Sequence, residues 1–143
     1  MKVLSIKEPY ASLIKDGIKK IETRSWKTKY RGKIYIHASI AKLSKDKKEN
    51  KALMNLVDIN NLNYGYIICS ANLIDCIEMT EEFINEVKKN SNEYTTGIYQ
   101  VGRYAWILED IKILKEKIPA KGKLGIWNYE SEDLWKIKSS QQQ

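Results

Sequence analysis

Between residues 17 and 26 the chain reads Gly17-Ile18-Lys19-Lys20-Ile21-Glu22-Thr23-Arg24-Ser25-Trp26, crowding a carboxylate, several cations and an indole into one short stretch. Alternate side chains of an extended strand share a face, so Glu22, Arg24 and Trp26 would line one side, with Lys19 in the preceding turn free to swing toward them. A carboxylate beside two cations in a partly buried cleft stays ionised. Burial and Arg24 would pull the Lys19 pKa down and Glu22 would pull it up, and the residues alone leave that balance open. Three roles suit such a group. As a binding site, Lys19 and Arg24 hold a phosphate or a base edge, Glu22 orients them or accepts from a base amino group, and Tyr10, Trp26 or Trp127 supplies a stacking face. As a hydrolase, a neutral Lys19 serves as base or nucleophile, Glu22 shuttles the proton, and Arg24 or a backbone donor stabilises an oxyanion; a ribonuclease variant would use His37 as acid. In the third role, Glu22 and Arg24 are an ion pair with no chemistry of their own.

The elements that must position these residues follow from hydrophobic spacing. Val3, Leu4 and Ile6 form a strand, and Pro9 opens a helix whose apolar Tyr10, Leu13 and Ile14 fall at i, i+3 and i+4, with Gly17 as its stop. A strand over 21–26 follows, then a turn at Arg31-Gly32 and a second strand with Ile34, Ile36 and Ala38 on one face and Tyr35 and His37 on the other. The charged run 42–51 leads into a helix on Leu53, Leu56 and Val57. Gly65 to Ile77 is apolar enough on both faces at its start to be central in a sheet. Thr80 is the expected N-cap of a helix with Glu81 and Glu82 in its first turn. A polar mobile loop is expected over Asn90 to Gly97, then strands over Arg103 to Leu108, Ile111 to Leu114 and Gly125 to Tyr129. Many short strands and few helices predict an α+β fold with a curled or closed sheet. A single domain over residues 1–138 is expected, with a disordered tail at 139–143.

The net charge of +7 is concentrated: residues 1–51 hold 15 basic and five acidic groups, a balance of +10, while residues 52–143 come to −3. A positive field gathered in one third of a chain favours polyanions, nucleic acid above all. No run of about 20 apolar residues and no signal-type N-terminus is present, so neither membrane insertion nor secretion is expected and the location is read as cytoplasmic. Cys69 and Cys76, seven apart in one extended segment, are expected on opposite faces and unbridged. With one histidine and no Cys-x-x-Cys pair, no metal and no cofactor are expected. As a lone histidine on an alternating strand, His37 reads as a satisfied cleft or surface residue, and Trp106 and Trp127 as core aromatics.

The chain resembles the activating-signal-cointegrator homology (ASCH) domains, relatives of the RNA-binding PUA domains. The resemblance rests on Leu4-Ser5-Ile6-Lys7-Glu8-Pro9-Tyr10-Ala11-Ser12-Leu13-Ile14, the Gly-x-Lys-x-x-Glu-x-Arg motif with Ser25-Trp26, and Arg31-Gly32-Lys33 leading into Ile36-His37-Ala38-Ser39. It continues through Tyr104-Ala105-Trp106 and Lys121-Gly122-Lys123-Leu124-Gly125-Ile126-Trp127. The charged motif alone is weak; the ordered set covers nearly the whole chain. The resemblance implies a PUA-like β-barrel of about five to seven strands with two or three flanking helices, and a cleft beside the first helix with Lys19, Glu22 and Arg24 as functional residues. It implies RNA or a nucleoside or nucleotide as partner, with N4-acetylcytidine amidohydrolase or ribonuclease activity as the alternative; separately, a monomer is expected. In the amidohydrolases of the family the lysine matching Lys19 works with a threonine three residues on and a glutamate. Here that threonine's position holds Glu22, and Thr23 is one step out of register.

Overall fold

The computed structural model describes residues 1–43 and 48–130. Six strands form one mixed sheet: β1 (Lys2–Lys7), β2 (Ile21–Arg24), β3 (Gly32–Ser39), β4 (Tyr66–Glu78), β5 (Tyr104–Pro119) and β6 (Ile126–Asn128). Four short helices, α1 (Tyr10–Lys15), α2 (Lys48–Met54), α3 (Glu81–Val87) and α4 (Ser91–Thr95), and a 3-10 turn at Ile59–Asn61 connect them. The order across the sheet is β2-β5-β4-β3-β1-β6, with β1 parallel to β3 and the other neighbours antiparallel. Among the described residues β2 and β6 remain the two edges. Among the described residues the expected barrel is therefore an open six-stranded sheet flanked by a few short helices.

The alternation in β3 separates two cores. Ile34, Ile36 and Ala38 join Leu4, Ile6, Ala11, Ile14 and Trp106 on the side covered by α1, while Tyr35 packs with Val3, Ile67, Leu114, Ile118 and Trp127 on the other. Burying each such aliphatic side chain contributes about 1.5–3 kcal/mol, so the sheet is held from both faces. The expected strands at Arg103–Leu108 and Ile111–Leu114 are one continuous β5. Asp110, at φ 53, lies where the pairing with β4 slips between Ser70 and Asn72, and aspartate tolerates this left-handed conformation better than most residues. A second slip, between Leu73 and Asp75, resets the alternation of β4, so Cys76 packs against the same core as buried Cys69, not the opposite face. Both cysteines are free.

Side chains cap three of the helices. Thr80 accepts from Phe83 N at 3.1 Å, as its position predicts. Pro9 offers α1 no side-chain cap, and the carboxylate of fully buried Glu8 takes its place, accepting from Ser12 N at 2.8 Å and Ser12 Oγ at 2.6 Å. The same carboxylate accepts from Asn63 N at 2.7 Å, tying α1 to the segment entering β4. The polar stretch 90–97 is not a mobile loop. Asn90 caps α4 by accepting from Glu93 N at 3.1 Å, and Glu93 and Thr96 are buried. Of the charged run 42–51, residues 44–47 lie outside the described residues, as does the tail 139–143, and Lys48 to Lys51 open α2.

Candidate functional site

Gly17 delivers the central lysine. At φ +78 it occupies a conformation that favours glycine, and the turn it makes lets Ile18 N and Lys19 N both donate to Leu13 O, which aims the Lys19 side chain inward. Lys19 is then pinned rather than free to swing. Its Nζ is fully buried, donates to Ile21 O at 2.6 Å and to Thr96 O at 2.5 Å, and stands 3.6 Å from Glu22 Oε1. Burial pushes its pKa down, against the opposing pull of Glu22 and Glu93.

β2 places the next two groups by pairing Glu22 opposite Trp106 and Arg24 opposite Tyr104 on β5. Arg24 donates from Nε and approaches from Nη2 onto the same oxygen, Glu22 Oε2, at 3.0 and 2.9 Å, and Nη2 also donates to Ser5 O at 2.9 Å. Its guanidinium lies 6.0 Å from the centroid of the Trp106 ring. Glu22 thus sits clamped between two cations in a nearly dry position. Oε1, with Lys19 at 3.6 Å, is the oxygen left with acceptor capacity, and Arg24 Nη1 donates to no group among the described residues.

Tyr10 completes this wall, its ring 5.3 Å from Lys19 Nζ, and burial followed by the Glu22 charge raises its phenol pKa. His37 closes the other side. Nε2 bonds Ala120 O at 2.7 Å, and a carbonyl can only accept, so that nitrogen carries the hydrogen and Nδ1 accepts from Ser5 Oγ at 3.0 Å. Trp127 Nε1 donates to the same hydroxyl at 3.0 Å. Burial lowers the His37 pKa, so the imidazole is the neutral member of this chain. Both nitrogens being engaged, His37 holds the segment after β5 in place. A Cβ on Gly122 would come within 2.8 Å of Ser5 Oγ and 2.9 Å of the His37 ring, so only glycine lets the backbone lie there.

Together these groups line a cleft of about 860 Å³. Lys7, Lys19, Arg24, Arg103, Lys121 and Lys123 contribute six cations to its lining, against the single carboxylate of Glu22. Trp26 lies beyond β2, which ends at Arg24, and is not among the residues lining the cleft. Its ring meets Trp106 edge-on at 4.7 Å, lies near Gly125 and is 38% exposed. Trp106 and Trp127 are core aromatics, and Glu81 and Glu82 lie exposed on α3, outside the cleft lining.

Besides Glu8, a second buried acid escaped the sequence reading. Glu93 on α4 accepts from Lys20 N at 2.8 Å and Ile21 N at 3.2 Å, fastening α4 to the start of β2. The spacing Asn90-x-x-Glu93 is the signature of a capped helix start, and it was the available signal. Burial raises the Glu93 pKa above the ordinary 4.5, so the native state holds this proton to higher pH than the unfolded chain does. The contribution to stability is complete below about pH 4.5 and is lost as pH rises through the native value. Glu93→Gln is expected to flatten the fall in urea-unfolding free energy between pH 4.5 and 7; a wild-type-minus-variant difference that does not change with pH would contradict this.

An open mixed sheet with short flanking helices and a polar cleft at the first helix is the PUA-like α+β architecture. The sequence model of the ASCH domain family matches residues 4–118, and the chain belongs to that family. It is 30% identical over 135 residues to Activating signal cointegrator 1 of Homo sapiens, and equally to that of Mus musculus; the match takes in 90% of this chain but only 22% of each relative. The crystal structure of ASCH from Zymomonas mobilis superposes with a TM-score of 0.58 at 15% identity, covering 96% of this chain and 93% of that one. A point mutant of the same bacterial protein gives 0.57 at 16% identity, covering 96% of each chain.

Proposed function

We propose that this ASCH domain binds RNA, or a nucleoside or nucleotide, in the cleft beside α1. The observation that carries this reading is the charge of the lining. Glu22 is already held by Lys19 and Arg24, and among the described residues no carboxylate lies within ion-pair distance of Lys7, Arg103, Lys121 or Lys123. Four such cations around one cavity suit a phosphate backbone, while Glu22 Oε1 and Arg24 Nη1 offer one acceptor and one donor to a base edge. Lys19, wholly buried, acts by holding Glu22.

Binding through these cations releases counterions, so log affinity for an unstructured RNA should fall linearly with log salt, with a slope near −3 if about four phosphates are engaged. The double variant Lys121→Ala, Lys123→Ala is expected to reduce that slope by roughly one to one and a half. Affinity that ignores salt would sink the reading.

One observation favours a second reading. A buried lysine with a lowered pKa beside a carboxylate suits a hydrolase acting on a modified nucleoside. Its hydrogens, however, already serve Ile21 O and Thr96 O, with Glu22 beside them. Release of acetate and cytidine from N4-acetylcytidine, abolished by Glu22→Gln, would put this reading in place of the first.

A further inference from the structure

The opening of the cleft mixes large apolar side chains with exposed lysines. Leu124 is 98% exposed, Ile40 75% and Ile98 57%, and all three line the same opening although they come from different segments: the approach to β6, the end of β3 and the connection from α4 to β5. Trp26 stands next to Gly125, the residue after Leu124 and itself part of the lining: a Cβ on that glycine would lie 4.0 Å from the indole ring. Side chains of this size held in water by folded segments gain from any partner that covers them. Lys121 and Lys123 flank Leu124 in sequence and line the same cleft, so whatever covers the lip is also drawn by positive charge.

Resting on the binding reading above, we propose that the true ligand is a single strand, one nucleotide of which enters the cleft while the neighbouring bases pack against the lip formed by Trp26, Ile40, Ile98 and Leu124. Lysines and exposed apolar side chains gathered at one opening suit a strand that carries both phosphates and bare base faces. A duplex is a poor occupant because its base faces are stacked on one another and its exterior is sugar and phosphate. A free nucleoside is a poor occupant because it leaves the lip in water.

The test compares four probes on the full chain at a fixed salt concentration. They are the ribonucleoside 5′-monophosphates, a nine-nucleotide RNA without self-complementarity, that RNA annealed to its complement, and a nine-nucleotide strand with one central base flanked by abasic sites. The unstructured RNA is expected to bind at least tenfold tighter than the best monophosphate, the duplex or the abasic-flanked strand, which retains every phosphate. Leu124→Gln and Ile98→Gln, at exposed positions that leave the core intact, should each remove most of that gain while changing monophosphate affinity less than twofold. A monophosphate, duplex or abasic-flanked strand binding as tightly as the RNA overturns the lip proposal and leaves the cleft reading standing, with the lip then free for a protein partner. Absence of binding by all four probes overturns both.

Discussion

Replacing Lys19 by methionine is expected to lower the unfolding free energy by about 3–5 kcal/mol, the loss found when one member of a buried ion pair is removed. The three neighbours of Nζ explain the size. Without it, Ile21 O and Thr96 O lose their donor and Glu22 keeps only Arg24 for its buried charge. Methionine fills much of the volume, so the loss reports on polar satisfaction rather than on a cavity. Melting should fall on the order of 10 °C. Amide exchange should quicken most at Tyr94 and Thr96, whose hydrogen bonds to Asn90 O and Asn92 O hold α4 together above the vacated site. Adding Glu22→Gln to Lys19→Met should restore part of the stability, because the second change neutralises the orphaned charge. A loss below about 1 kcal/mol would show that Lys19 is not the support the geometry makes it.

The largest effect on binding is expected at Arg24. Arg24→Met should weaken affinity for unstructured RNA by about 30-fold or more, the range seen when one partner of a buried, hydrogen-bonded charge pair is truncated. The guanidinium makes three contacts in one plane, two onto Glu22 Oε2 and one onto Ser5 O, and still carries Nη1 for a ligand. Lysine cannot reproduce that fork, so Arg24→Lys should recover less than a third of the lost factor. Melting curves for both variants separate loss of the site from loss of the fold. Affinity within threefold of wild type in a folded Arg24→Met protein would place the ligand elsewhere.

The features legible in the sequence were those whose causes are local. Thr80 caps α3 because a hydroxyl reaches an amide three residues on, and Ile34, Ile36 and Ala38 share a core because a strand repeats every two residues. The ends of β5 were not legible. Each half looks like a separate strand until β4 pairs with both and absorbs the irregularity at Asp110 in a register slip. The closed barrel failed for a related reason. Strand number can be read from periodicity, but closure needs a ladder between β2 and β6, which depends on how far the sheet curls.

The candidate site divides along the same line. Spacing alone determined that Lys19, Glu22 and Arg24 would lie within reach of one another, because a glycine turn followed by an extended strand leaves few other arrangements. Tertiary structure alone decided what each could do. Thr96 O, 77 residues away in the chain, converts Lys19 from a mobile cation into a buried support, and Glu93 locks the start of β2 from a segment that composition marks as loop. Ser5 and the residues after β5 turn His37 into a strut, and Trp26, beyond the end of β2, packs its ring edge-on against Trp106. Hydrogen bonds and burial depend on atoms brought together by long-range packing, and these set the protonation, mobility and exposure on which a side chain's chemistry rests.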